Sequence, residues 1–176
     1  MIDDHPGPSM PVAPGSYRLD PERSQVHYSG KHMFGLGTVH ATFSVRDGAV
    51  RIGEEMRTLS TDVTVDAASF HSDSPKRDRD VRSGGLLDVD HFPSITFASE
   101  GIQETPEGWL VPGTVAVHGR SVPVDLQVDQ LAPDGSELRV HGWARRLDRT
   151  AFGITGSRGM VGRYLDLEID VVATPS

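Results

Sequence analysis

Apolar and polar residues alternate with a period of two along most of this chain. Leu165, Leu167, Ile169 and Val171 alternate with Asp166, Glu168 and Asp170 without an error. Successive side chains on a strand point to opposite faces, so this run predicts a strand with one apolar and one wetted face. Val122, Val124, Leu126 and Val128 alternate in the same way with Pro123, Asp125, Gln127 and Asp129. Val39, Ala41, Phe43 and Val45 form a further set, Leu138, Val140 and Gly142 another, and Val63 and Val65 lie in the run RTLSTDVTVD. The unbroken polar face on residues 165–171 argues against a parallel sheet covered on both sides.

Turn residues separate the runs. Asp47-Gly48, His118-Gly119-Arg120 and Pro133-Asp134-Gly135 each read as a break between two strands. Roughly eight to ten short strands at this spacing predict an antiparallel sandwich or barrel, and periodicity alone does not choose between them. One segment, residues 75–83, reads as helix: Ser74 can cap it, Pro75 suits its first position, and Gly84 can end it.

The 176 residues are enough for one domain with a real core. Residues 1–15, acidic and proline-rich, read as a disordered arm, leaving 16–176 as the domain. The arm has neither the basic nor the apolar region of a secretory signal, so a cytoplasmic location is expected. No apolar run approaches the ~18 residues of a membrane span. A net charge of −8 argues against a nucleic-acid partner and against stable anchoring to anionic membranes. With no cysteine, disulfides and thiolate chemistry are excluded. Only 6% of residues are aromatic, so an interior filled mostly by Val, Leu, Ala and Gly leaves room for a cavity.

Several segments carry a family resemblance. Tyr17-Arg18-Leu19-Asp20-Pro21-Glu22-Arg23-Ser24 resembles an opening strand and turn, and Lys31-His32-Met33 with Thr38–Phe43 resembles the hairpin that follows, with Ala41 at the usual glycine. Ser69-Phe70, Arg77-Asp78 and Val81-Arg82-Ser83 match a helical segment, although Asp80 and Val81 stand where the family often has a histidine. Phe92-Pro93-Ser94-Ile95-Thr96-Phe97, the turn Val117–Val124 and the loop Asp148–Ile154 complete the order. Together they resemble the YceI-like family, bacterial lipocalin-like barrels that hold polyisoprenoid lipids. The resemblance implies an all-β fold: an extended eight-stranded antiparallel barrel, a short helix at one end and a lipid-holding pore. It also implies a bound isoprenoid, polyprenyl or quinone-type, held by a carrier or storage protein, monomeric or homodimeric, with no further cofactor.

The alternation nominates the cavity wall: Val39, Ala41, Phe43, Val63, Val65, Phe97, Val115, Val117, Leu126, Val128, Val140, Leu165, Leu167 and Ile169. The same pattern also describes an ordinary core. His32 and His40 would face each other in a hairpin centred on Leu36, as mouth residues. Two imidazoles are at most half of a tetrahedral metal site, so no metal is expected. Arg77 and Asp78 read as an ion pair that either fastens the helix to the barrel or orients a ligand head group; Arg149 reads as a loop tie or a head-group contact. Ser69, His71 and Asp73 lie ~6–7 Å apart per step on a strand, too far for a hydrolytic triad. An enzyme using the same cavity, a cyclase or isomerase, is the alternative, with His27, His32 and His40 as acid–base candidates.

Overall fold

The alternating runs are strands that close on themselves. The computed structural model describes residues 12–54, 58–157 and 160–176. Its strands are β1 (Gly15–Leu19), β2 (Gln25–His32), β3 (Gly37–Ile52), β4 (Ser60–Asp66), β5 (Ser94–Glu100), β6 (Gln103–Thr105), β7 (Gly108–Val117), β8 (Arg120–Asp134), β9 (Glu137–Asp148) and β10 (Val161–Pro175). β2, β3, β4, β5, β7, β8, β9 and β10 pair antiparallel in that order, and β10 returns to β2, giving a closed eight-stranded barrel. Residues 1–11 of the expected N-terminal arm lie outside the described residues; Val12 is buried in the main core.

β1 and β2 form one interrupted stave. β1 lies between the C-terminal parts of β3 and β10, and β2 lies between the same two strands further along. At the break, the Asp20 carboxylate accepts from the Glu22 amide at 3.0 Å and from Arg23 Nε at 2.8 Å. The buried Ser24 hydroxyl both donates to the Val172 carbonyl (3.2 Å) and accepts from the Val172 amide (3.1 Å), replacing a ladder pair that the kink removes.

Asp47-Gly48 is not a turn. β3 runs straight through it, and the register against β4 slips there between Val45 and Asp47. The pair is a β-bulge, which bends the long strand so that the barrel can close. A side chain at Gly48 would come within 2.8 Å of the Asp62 carbonyl, so the glycine answers a close approach. The breaks at 118–119 and 135–136 are hairpins, as their residues predict.

The helix α1 spans Pro75–Arg82, with Ser74 Oγ accepting from the Arg77 amide at 3.3 Å and Pro75 in the first turn. Two 3-10 turns, Ala67–Ser69 and Arg149–Phe152, carry no helical periodicity in sequence and are held instead by Asp66 and Asp148, whose carboxylates accept from the Ala68 and Thr150 amides. Both turns, α1 and the β2–β3 and β7–β8 hairpins lie at one end of the barrel. The β3–β4 and β8–β9 connections and the chain's C-terminus lie at the other. No helix among the described residues is long and apolar enough to cross a membrane.

Candidate ligand cavity

Inward-facing side chains leave an apolar cavity of about 70 Å³ toward the end away from the helix. Leu19 of β1, Val50 of β3, Thr61 and Val63 of β4, Phe97 of β5, Val111 of β7, Leu126, Val128 and Leu131 of β8, Val140 of β9, and Ile169 and Val171 of β10 line it, with Leu59 and Ile102 from the connections at that end. Thr61 is the one lining residue with a polar side chain, and its hydroxyl donates to the Ala49 carbonyl at 2.9 Å. The described wall therefore presents apolar side chains and one hydroxyl that is already bonded to backbone.

Toward the helix end three aromatic rings meet inside the barrel. Tyr28 of β2 and Phe43 of β3 each meet Phe70 edge to face, with ring centroids at 5.7 and 5.4 Å. Phe70, which follows the first 3-10 turn, is 2% exposed. Arg82 of α1 donates to the Phe70 carbonyl at 2.6 Å, so the helix fixes the position of this plug. Burial pushes the Tyr28 phenol pKa up, and the positive charge of Arg149 opposes that shift. Beyond the plug, Leu86, Val117, Val124, Ala144, Phe152 and Ile154 form a second apolar cluster.

Of the fourteen residues nominated from the alternation, Val63, Phe97, Leu126, Val128, Val140 and Ile169 line the cavity. Ala41, Phe43, Val65 and Leu167 pack in the main core beside it. Val115 packs on the second cluster, to which Val117 belongs; Val39 is buried and Leu165 half-buried. Leu19, Leu59 and Ile102 close the cavity from strand ends and connections, where no alternation marks them.

The mouth candidates have other partners. His32 stands opposite Gly37 and His40 opposite Ser29, so the two imidazoles do not face each other. The chain reverses over Met33–Leu36, with Met33, Phe34 and Gly35 at positive φ, a tighter turn than one centred on Leu36. His40 is exposed, between the buried Val39 and Ala41, and His27 approaches Asp170 at 3.4 Å on the outer face. These placements take two of the three proposed acid–base groups away from the cavity.

Arg77 and Asp78 do not pair with each other. Adjacent helical positions face different directions; Arg77 pairs with Asp73 at 2.9 Å, while the buried Asp78 accepts from the Ser72 amide at 2.9 Å and hydroxyl at 2.6 Å. Arg149 is a loop tie. Its buried guanidinium donates to the carbonyls of Gly162 (2.9 Å), Ile154 (2.9 Å) and Val161 (3.0 Å). Beside it, the hydrogen bond from Arg163 holds the Asp148 carboxyl far below the usual carboxylate range, and Thr150 adds to the effect.

One group with metal-ligand geometry exists among the described residues: His141, Glu168 and Asp170, whose ligand atoms lie within 4.8 Å of one another. It lies among outward-facing residues of β9 and β10, and hydrogen bonds account for the imidazole. His141 Nε2 meets Glu168 at 2.6 Å and Nδ1 meets Asp129. These carboxylates, Glu168 first, raise the His141 pKa. A raised folded-state pKa stabilises the protein below the unfolded value of about 6.5 and is lost as pH rises through the folded value. Thermal stability is thus expected to fall as pH rises above about 6.5, with a shallower fall in His141→Gln. Melting curves across that range check this; identical slopes would contradict it.

Gly113 makes room for the wall. A Cβ there would lie 2.5 Å from the Phe97 ring and 2.7 Å from the Ala98 carbonyl. Gly113→Ala is expected to push Phe97 toward the cavity and to lower stability by about 1–3 kcal/mol, measured by urea unfolding. Unchanged stability would show that the ring can yield freely.

A family model described as a YceI-like domain matches residues 17–173. A UPF0312 protein of Enterobacter sp. (strain 638) is 26% identical over 162 residues, covering 88% of this chain and 84% of the relative. Protein YceI of Salmonella arizonae is 24% identical over the same shares. Among solved structures, Burkholderia cenocepacia BcnA superposes with a TM-score of 0.71 at 23% identity, over 89% of this chain and 99% of that one. A polyisoprenoid binding domain from Saccharophagus degradans, implicated in plant cell wall breakdown, superposes with a TM-score of 0.65 at 11% identity, over 93% and 100%.

Proposed function

The chain belongs to the YceI-like family, and from that premise we propose that its barrel binds a long apolar isoprenoid, of polyprenyl or quinone type, as a carrier or storage protein. The observation that carries this reading is the cavity wall: fourteen side chains with one hydroxyl among them, and that hydroxyl bonded to backbone. A polar or charged ligand would lose its hydration there without replacement.

Burial supplies the affinity. Each CH₂ removed from water contributes roughly 0.8 kcal/mol, so a five-carbon prenyl unit contributes at most ~4 kcal/mol before ordering costs. Volume sets the limit. The cavity, at about 70 Å³, is smaller than the ~150 Å³ engineered cavity that admits benzene. A long chain must therefore displace side chains, and the plug of Tyr28, Phe43 and Phe70 stands where the pore would continue.

Calorimetric titration with prenyl alcohols of increasing length tests the proposal. The expected result is binding with a negative heat-capacity change and little dependence on salt. Heats that vanish at moderate salt, or no binding at any chain length, would overturn it.

A further inference from the structure

The β2–β3 hairpin tip exposes large apolar side chains that the barrel does not use. Phe34 is 80% exposed, Leu36 87% and Met33 44%, and Met160, 51% exposed, joins them from the loop before β10. The Met33 amide donates to the Met160 carbonyl at 3.0 Å, so the two loops form one edge. Single exposed hydrophobes are ordinary, but four gathered at one end are not. The backbone also holds Met33 and Phe34 in the left-handed region, at φ of 49° and 57°, which bulky residues rarely adopt.

Cations border this edge in a chain whose net charge is −8. Lys31 precedes the tip and Arg163 follows Met160. The guanidinium carbons of Arg146 and Arg163 stand 4.3 and 5.4 Å from the centre of the Tyr164 ring. Two carboxylates lie among them: Asp148 pairs with Arg163 at 2.9 Å and takes up that charge, and Asp166 keeps its charge while accepting from the Arg146 backbone amide at 2.8 Å, so Lys31 and Arg146 are the cations left to face head groups. The acidic cluster around Glu168 and Asp170 lies further along β10.

We propose that this edge docks the barrel reversibly on an anionic lipid bilayer, with Met33, Phe34, Leu36 and Met160 entering the interface and Lys31, Arg146 and Tyr164 at the head groups. Apolar side chains beside cations and an aromatic ring suit the bilayer surface. A second copy of this chain is a poorer occupant, because a two-fold contact through the tip would bring like charges together. The docking does not depend on what the barrel holds.

Flotation of the full chain with phosphatidylcholine vesicles, with and without phosphatidylserine, tests it. The protein is expected to float with the anionic vesicles, roughly tenfold or more better than with neutral ones, and to release as salt rises. The double variant Phe34→Ser, Leu36→Ser should lose roughly tenfold or more of that binding while keeping its melting temperature. Phe34→Trp should still float, with its emission shifted to the blue on the vesicles. Failure of the native chain to float with either vesicle would overturn the proposal. So would a serine variant that floats undiminished, or an unshifted emission. Loss of self-association on sedimentation with flotation unaffected would overturn it too, assigning the tip to contacts between copies.

Discussion

Phe70→Ala is expected to lower stability by about 3–5 kcal/mol while tightening the binding of long prenyl chains. Phe70 is 2% exposed and is the ring that both Tyr28 and Phe43 meet edge to face. Truncation leaves a void at the point where the plug separates the apolar cavity from the helix end. The empty protein loses that packing. A bound chain recovers part of it by filling the space, so ligand should raise the melting temperature of the variant more than that of the native chain. Urea unfolding with and without a long prenyl alcohol measures both effects. Equal ligand-induced stabilisation in the two proteins would mean that the chain does not pass the plug.

Arg149→Met is expected to cost about 3–5 kcal/mol through a different mechanism. The Arg149 guanidinium, 5% exposed, gathers the Ile154, Val161 and Gly162 carbonyls. Methionine fills similar space but donates nothing, so those carbonyls lose a charged donor in a buried setting. Arg149→Lys should not rescue the loss, because one ammonium cannot reproduce a planar fork aimed at three acceptors. Thermal and denaturant unfolding of both variants check this. A lysine variant as stable as the native chain would show that charge alone, without the fork, holds the loop.

The strands were legible because a strand with one wet face announces itself, whereas the barrel rather than a sandwich followed from the order of the family-like motifs. Leu165–Val171 and Val122–Asp129 alternate cleanly, and Leu126, Val128, Ile169 and Val171 line the cavity as that parity requires. The short helix was legible from Ser74 and Pro75. What stayed hidden depends on contacts between distant segments. Asp47-Gly48 has the composition of a turn, yet its pairing with β4 makes it a bulge. The hairpin register, and with it the separation of His32 from His40, is set by three consecutive positive-φ residues, two of them Met33 and Phe34, which local preference does not place there. Tyr28, Phe43 and Phe70 come from β2, β3 and the segment after β4, and only closure of the barrel brings them together. Arg82, which positions Phe70, looks in sequence like one more solvated helix cation.

Native mass spectrometry of freshly purified protein, with organic extraction of the same sample, tests the central claim most directly. An apolar barrel that binds isoprenoid is predicted to carry an added mass of a prenyl-chain lipid, lost on extraction and restored when the extract is added back. A clean ligand-free mass, together with no mass gained from any prenyl lipid supplied, would contradict it.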